Sequence, residues 1–353
     1  MTVYVATDFH AREQTISYCD TADGELHRTR LRHQHDAVRK FYEQFTGEVI
    51  VGLEASGYSA WFEQLLAELR HTVWLGNPAA IRRKAPRRQK NDRRDAGLML
   101  DLMLKGDFPR VQTFSEESRT VMRQLRYRHK LVKVRTIAKN SLHAIGINAG
   151  LPLQKKLLTT AGIKQLQALP LSPVLSCQRD EWLELVVLMN QRIATLEEAL
   201  QQRAQHDADV TLLRTHPGIG LLTALALRYT LLPVSRFSTT RHVTAYIGLD
   251  CVEDQSSERR RLGGISKQGS RLVRFLLNEA GQTAARRDPE LQRFYKRLLQ
   301  RRDKPKAKVA VARKLLVRSF IMLRDQIDYV EFVRRGVAAR VARKTHSPNL
   351  TDL

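Results

Sequence analysis

Four acidic residues stand where predicted elements end, and their type suits the binding of hard cations. Asp8 closes an apolar run that starts at Thr2, and Glu54 closes a second one, Glu-Val-Ile-Val-Gly-Leu over residues 48–53. Asp92 and Asp95 are three residues apart, so one face of a helix presents both. Crowded carboxylates repel one another unless divalent cations neutralise them. Two such cations about 3.5 to 4 Å apart, bridged by Asp and Glu oxygens, activate a nucleophile and stabilise the leaving oxygen in phosphodiester displacement. The competing reading is structural: Asp92 and Asp95 cap a helix, and Glu54 pairs with a nearby Arg.

Basic residues are bunched beside the acidic set. Arg82, Arg83, Lys84, Arg87, Arg88 and Lys90 precede Asp92 with no acid among them. Arg119, Arg123, Arg126, Lys130 and Lys133 recur at helical spacing, a cationic stripe suited to a nucleic-acid backbone. Arg259, Arg260, Arg261 and Lys267 form a third group. The whole chain of 353 residues carries 60 Lys and Arg against 36 Asp and Glu, a net charge of +24 that points to a polyanionic partner.

The elements that must position these groups fall into regions. Residues 2–9 read as a strand, a hairpin follows through the Asp20 to Gly24 turn, and residues 36–45 are helical. A buried strand at 48–53, a helix at 61–69, a strand at 72–75 and a helix from Asp92 complete an α/β order with a mixed sheet. Strand signals vanish from 115 to 205, where breaks near 146–152 and 170–173 divide helices. In the last of these, Trp182, Val186, Met189, Ile193, Leu196 and Leu200 form one apolar seam for a partner helix, in the same chain or in a coiled coil with another. Residues 212–220 read as helix, tight turn and helix start, with Pro217 to Gly220 resembling a phosphate-contacting hairpin between helices. Beyond Val330, basic and small residues alternate and fraying is expected.

Several classes are excluded. Hydrophobic residues make up 42% of the chain, too many for disorder, and no apolar run approaches the roughly 20 residues of a spanning helix. Cys19, Cys177 and Cys251 have no metal or disulfide spacing, so a reducing cytoplasm is expected. No phosphate loop for ATP occurs.

Thr7-Asp8, Leu53-Glu54-Ala55-Ser56-Gly57 and Asn91-Asp92-Arg93-Arg94-Asp95-Ala96 resemble the DEDD set of the insertion-sequence transposases of family one-ten. Further on, His216-Pro217-Gly218-Ile219-Gly220, Tyr246-Ile247-Gly248-Leu249, Ser256-Ser257 and Leu262-Gly263-Gly264-Ile265-Ser266-Lys267-Gln268-Gly269 run in the order of that family's second domain. The resemblance implies a RuvC-like, RNase H-type α/β domain over residues 1–110, an α-helical or coiled-coil region over 111–206, a mostly α-helical serine-bearing transposase domain over 207–329 and a basic tail over 330–353. It implies two Mg²⁺, with Mn²⁺ as a substitute, on Asp8, Glu54, Asp92 and Asp95. It further implies that Ser256, eight residues after Gly248, attacks a DNA phosphodiester and forms a covalent phosphoserine link. Cys251 stands where the family often has Pro, and Ser257 where it often has Gly, which leaves Ser257 as a rival nucleophile. Without the family, Ser256-Ser257 reads as a solvated turn in a charged loop. The implied activity is recombination of target and donor DNA guided by the element's own noncoding RNA, in a homo-oligomer of two to four subunits at the bacterial nucleoid, with no membrane. The alternative is a metal-dependent junction nuclease that activates water and has no need of Ser256.

Overall fold

The structure is a computed structural model that describes residues 2–34, 36–85, 92–152, 157–256 and 259–345. The chain divides between Phe114 and Ser115 into two compact units.

The first unit is built on one sheet. Its strands are β1 (Thr2–Phe9), β2 (Glu13–Asp20), β3 (Leu26–Arg32), β4 (Glu48–Glu54) and β5 (Thr72–Gly76), in the order β3-β2-β1-β4-β5. β2 runs antiparallel to β1 and β3, while β4 and β5 run parallel to β1. Parallel neighbours require crossovers, here through α1 (Ala37–Glu43) and α2 (Ala60–Glu68). Alternation along the strands then sorts side chains between two faces. Val3, Val5, Ile16, Val49, Val51 and Leu53 face α1 and α2, where Tyr42 and Phe62 are fully buried. Ala6, Cys19 and Ile50 face α3 (Pro78–Lys84) and α4 (Asp92–Leu104), against Ile81, Met99 and Met103. Asn77 caps α3 by accepting from the Ala79 and Ala80 N–H groups at 3.0 and 3.2 Å.

The second unit opens with α5 (Glu116–Asn148), capped by Ser115 at the Ser118 N–H. It continues with α6 (Thr160–Gln167), capped by Thr159, and α7 (Pro173–Gln205), which Ser172 caps with Pro173 at its first position. The apolar seam of α7 is filled by α5 of the same chain. Leu131 meets Met189 and Ile193, while Arg128 binds Glu197 and Arg203 binds Glu117, a pattern of two antiparallel helices. The coiled-coil expectation for this region therefore resolves into an intramolecular pair. Val121, Leu125, Leu200 and Ala204 also enter the same core as residues of the C-terminal region, so the predicted border at 206/207 runs through a continuous core.

That core gathers α8 (Ala208–Arg214), α9 (Leu221–Leu231), α10 (Thr240–Ile247), α11 (Arg271–Arg287), α12 (Pro289–Leu299) and α13 (Lys304–Asp325). Between α10 and α11 the chain forms an antiparallel hairpin, β6 (Cys251–Ser256) and β7 (Arg259–Ile265). The charged loop expected there is thus a two-stranded ribbon, with its ladder pairing the backbone of an otherwise polar stretch. The predicted fraying after Val330 is also corrected, since residues 329–345 form α14 (Tyr329–Thr345). Its first turn is held by Asp328 accepting from the Glu331 N–H at 2.8 Å and by Glu331 bonding Arg334 and Arg335. Among the described residues no helix is long and apolar enough to cross a membrane.

Candidate active site

Asp8 and Glu54 owe their placement to strand pairing. The parallel register joins Thr7 to Leu53, so the next residue on each strand sets Asp8, one short of the end of β1, beside Glu54, the last of β4. Thr7 and Leu53 are fully buried on the α1/α2 face, and alternation sets Asp8 and Glu54 on the opposite face, the one covered by α4. The Thr7 hydroxyl lies 2.9 Å from the Tyr42 hydroxyl, locking the strand just before its carboxylate. Full burial raises the Tyr42 phenol far above its ordinary pKa, so it stays a neutral anchor. The Asp8 side chain is 15% exposed, with His10 Nδ1 at 3.7 Å from its Oδ1. Beyond Glu54 the Ala55 N–H bonds Gly76 at 3.0 Å, and Ser59 closes the turn through Glu63 at 2.8 Å.

α4 brings the remaining pair to the same sheet end. Leu104, near its C-terminus, shares a cavity with Leu26, which pairs with Cys19 and thereby lies level with Tyr4. Gly97 approaches Arg28, level with Ser17 and Ala6. The helix accordingly runs antiparallel to β1, and Asp92 opens it at the Asp8 end. Asp95 is half-buried and shares its helical stripe with the buried Met99 and Met103. A Cβ on Gly52 would lie 2.3 Å from the Met103 sulfur, so the absent side chain lets α4 lie directly on β4. A glycine inside an apolar strand is itself a signal of such close approach. Among the described residues no three acidic, His or Cys side chains form a metal-holding group. Asp8 and Glu54 bring carboxylates to this sheet end, the ligand class that hard divalent cations take, with the His10 imidazole beside Asp8.

Ser256 belongs to the second unit. The backbone places it at the end of β6, opposite Arg259, with Gln255 opposite Arg260 and Asp254 opposite Arg261. Six residues of strand set it roughly 17 Å from the root of the ribbon. That root explains two of the short motifs. Gly248 has φ +76°, and a Cβ there would fall 2.1 Å from the Gln268 carbonyl oxygen; Gly269 has φ +72° and would strike the Tyr246 carbonyl at 2.2 Å. Each glycine thus makes room for the other's segment. The Lys267 N–H donates to Gly248 at 3.2 Å, the Ser266 N–H donates to Asp250 at 2.9 Å, and Arg274 donates to the carbonyls of Ile247 and Gln268. Ser257, the rival nucleophile, lies outside the described residues.

The His216 to Gly220 segment is an anchor. A Cβ on Gly218 would meet the Ala284 Cβ at 2.4 Å, so the turn packs directly on α11. His216 is buried, and its Nδ1 accepts from the Gly218 N–H at 3.2 Å. Burial, aided by the Arg318 cation and opposed by Asp288, lowers its pKa to about 4. Asp288 caps α12 through the Leu291 N–H at 2.8 Å and accepts from Arg318 and from the Tyr329 hydroxyl. Burial alone would raise the Asp288 pKa, but these donors lower it. Nothing in the sequence joins Asp288, Arg318 and Tyr329 to the motif, because they lie 72 or more residues beyond His216.

Of the predicted basic groups, Arg82, Arg83 and Lys84 form the exposed last turn of α3, with Lys84 bound to Asp107 at 3.0 Å. Arg87, Arg88 and Lys90 lie outside the described residues. On α5, Arg119 and Arg123 approach Glu116 at 3.1 and 3.5 Å, while Arg126, Lys130 and Lys133 are exposed. Arg259, Arg260 and Arg261 lie on β7, and Lys267 is exposed at its foot.

Comparison with known proteins finds two matches along the chain, the first running past the border at Phe114 into α5. Residues 5–145 match the DEDD family described as "Transposase", and residues 210–296 match the family described as "Transposase IS116/IS110/IS902 family". The "Probable family 20 transposase" of Pseudomonas aeruginosa is 29% identical over 288 residues, covering 78% of this chain and 84% of the relative. The "Transposase for insertion sequence element IS1111A" of Coxiella burnetii is 28% identical over 243 residues, covering 64% of each chain.

Proposed function

Since the chain belongs to the IS110/IS116/IS902 transposases and carries both of their domains, we propose that it recombines DNA of an insertion sequence through a phosphoserine intermediate on Ser256. The observation that carries this reading is that one chain has both an acidic sheet end, where Asp8 stands beside Glu54, and a separate two-stranded ribbon with Ser256 at the end of its first strand opposite Arg259. The mixed sheet is compatible with the RNase H-type fold that the acidic motifs imply. Asp8, Glu54, Asp92 and Asp95 would hold two Mg²⁺, which supply charge neutralisation at the scissile phosphate and ease loss of a hydroxyl proton. The Ser256 oxygen bonds to phosphorus as the bond to the leaving DNA oxygen breaks. The serine proton passes to a base, and the leaving oxygen takes one up. Attack by a hydroxyl of a second DNA strand reverses the sequence of bonds and frees the serine, so no ATP is consumed.

The net charge of +24 supports a second part of the reading, in which a noncoding RNA of the element pairs with target and donor DNA and the protein grips backbones. Oligomerisation, to a dimer or tetramer, and association with the bacterial nucleoid belong to the same proposal.

The test is a denaturing gel of labelled target and donor DNA incubated with protein, RNA and Mg²⁺. A covalent adduct that maps to Ser256 and is lost in Ser256→Ala is expected. An adduct on Ser257 would reassign the nucleophile. Free nicks retained in Ser256→Ala would replace the recombinase with the junction nuclease.

A further inference from the structure

We propose that the second unit carries a phosphodiester-binding groove across α11, formed by Arg286, Arg287, Lys304 and Lys308. It is separate in sequence from the three basic groups described above, and it rests on the reading that the protein acts on nucleic acid.

Two cavities adjoin there. One, of about 380 Å³, lies between the 217–220 turn and α11 and is lined by Arg286 and Arg287. The other, of about 290 Å³, lies between α11 and the following helices and is lined by Tyr295, Lys304 and Lys308. Gln282 and Arg286 line both, so the two cavities adjoin on either side of α11. Their walls come from close backbone contact: Gly218 lies against Ala284, and a Cβ on Gly281 would stand 3.2 Å from the Ala312 nitrogen. Glycine and alanine at these crossings let the backbones approach closely beneath the two cavities.

Some nearby cations are neutralised, Lys306 by Asp303 at 2.9 Å and Lys314 by Glu290 at 2.9 Å, whereas the groove cations add to a surface that Arg301, Arg302 and Arg313 also make positive. Among the described residues, none of the four groove cations is in an ion pair with a carboxylate. Arg286 donates instead to its own helix, at the Gln282 carbonyl, 3.3 Å away. One carboxylate, Glu279, lines the first cavity and accepts from the Gln282 amide at 3.2 Å. Four cations converging on one groove repel one another, and an anion relieves that repulsion. Two cationic cavities that adjoin at Arg286 suit successive phosphates of a polymer better than a single anion. The first turn of α9, whose Gly220 cap offers no side chain, opens into the same cavity and adds backbone N–H donors.

The experiment uses the full chain and measures anisotropy of a labelled DNA duplex and a labelled single-stranded RNA across 50 to 200 mM salt. Arg286→Gln/Lys304→Gln/Lys308→Gln is expected to bind about 10²-fold more weakly at 100 mM salt. The salt slope should become shallower by about 0.9 per lost contact if duplex occupies the groove and about 0.7 if single strand does. The charge-keeping variant Arg286→Lys/Lys304→Arg/Lys308→Arg should bind like the parent, as should Lys306→Gln/Lys314→Gln. Equal affinity and slope for the Gln variant, while the parent binds tightly, would overturn the groove and leave the proposed function standing. A parent that binds neither nucleic acid would overturn the function itself. Loss in the charge-keeping variant as large as in the Gln variant would assign the effect to folding and also overturn the groove.

Discussion

Asp8 and Glu54 lie at or next to the ends of strands that are paired on both sides, whereas Ser256 ends the first strand of a ribbon whose two strands pair only with each other. On the sheet, register does the positioning. Thr7 and Leu53 are buried one residue before the carboxylates, and α4 is pressed onto the strands through Gly52 and Met103. On the ribbon everything depends on the root, where Gly248 and Gly269 interlock and Arg274 ties two carbonyls. The comparison teaches that the acidic set is held by the core of its unit, while the serine is held by one knot of backbone. The first arrangement fixes spacing through core packing; the second leaves the strand that ends at Ser256 tied to the rest of its unit only through that root.

The largest effect is expected where that contrast is broken chemically. Asp8→Ala should reduce strand cleavage by about 10²-fold or more, since a side chain at the reacting centre contributes on that scale. Far-UV circular dichroism and nucleic-acid affinity should be unchanged, because the Asp8 side chain is outside the apolar core. A variant that still recombines at the parental rate in Mg²⁺ would remove Asp8 from the acidic set.

Breaking the knot should act differently. Gly248→Ala places a Cβ 2.1 Å from a backbone oxygen at a φ of +76°, and left-handed strain alone costs about 1 to 3 kcal/mol. Loss of strand transfer is expected together with a lower midpoint of urea unfolding. Isolated residues of the first unit should keep their hydrogen-exchange protection. Uniform loss of protection across both units would show that the ribbon root is not an independent knot.

Much of the first unit was legible in the sequence because local signals and tertiary demands coincide there. Apolar runs ending in Asp8 and Glu54 predict strands, and alternation predicts their faces. The ribbon was not legible. Its strands, Cys-Val-Glu-Asp-Gln-Ser and Arg-Arg-Arg-Leu-Gly-Gly-Ile, show no apolar alternation, and only Ile265 at the root packs against the core among their described side chains, so periodicity had nothing to report. The helix after Val330 was missed for another reason: Tyr329 is tied to Asp288 and Thr215, contacts that no local pattern contains. The seam on α7 was read, but sequence left its partner open, and α5 supplies it.

The buried anchor of the second unit gives a smaller, pH-dependent effect. His216 has a folded pKa of about 4, below its unfolded value near 6.5. The unfolded state therefore binds more protons between these values, and stability falls as pH drops through that window. The group contributes about 3 kcal/mol above pH 6.5 that is lost by about pH 4. Asp288, whose folded pKa is also lowered, adds loss in the same direction at the acid end. Urea midpoints between pH 7 and pH 4.5 should decline for the second unit, with a flatter profile in His216→Gln. An unchanged slope in that variant would place the acid sensitivity elsewhere.

The smallest effect should come from a single exposed cation, and it separates grip from chemistry. Lys130 is exposed on α5, whereas Arg128 two residues earlier is tied to Glu197 across the helix pair at 2.8 Å. If Lys130 meets a phosphate, Lys130→Gln removes one contact and flattens the salt slope by about 0.9 on duplex, close to a tenfold loss at 100 mM salt. Arg128→Gln should weaken binding far less and instead lower stability, because it frees Glu197 at a half-buried site. Cleavage per bound complex, read as single-turnover rate at saturating protein, should match the parent in both variants, since neither residue belongs to the acidic set or the ribbon. A fall in that rate for Lys130→Gln would mean that α5 helps position the scissile strand, and the division between gripping and reacting regions would have to be redrawn.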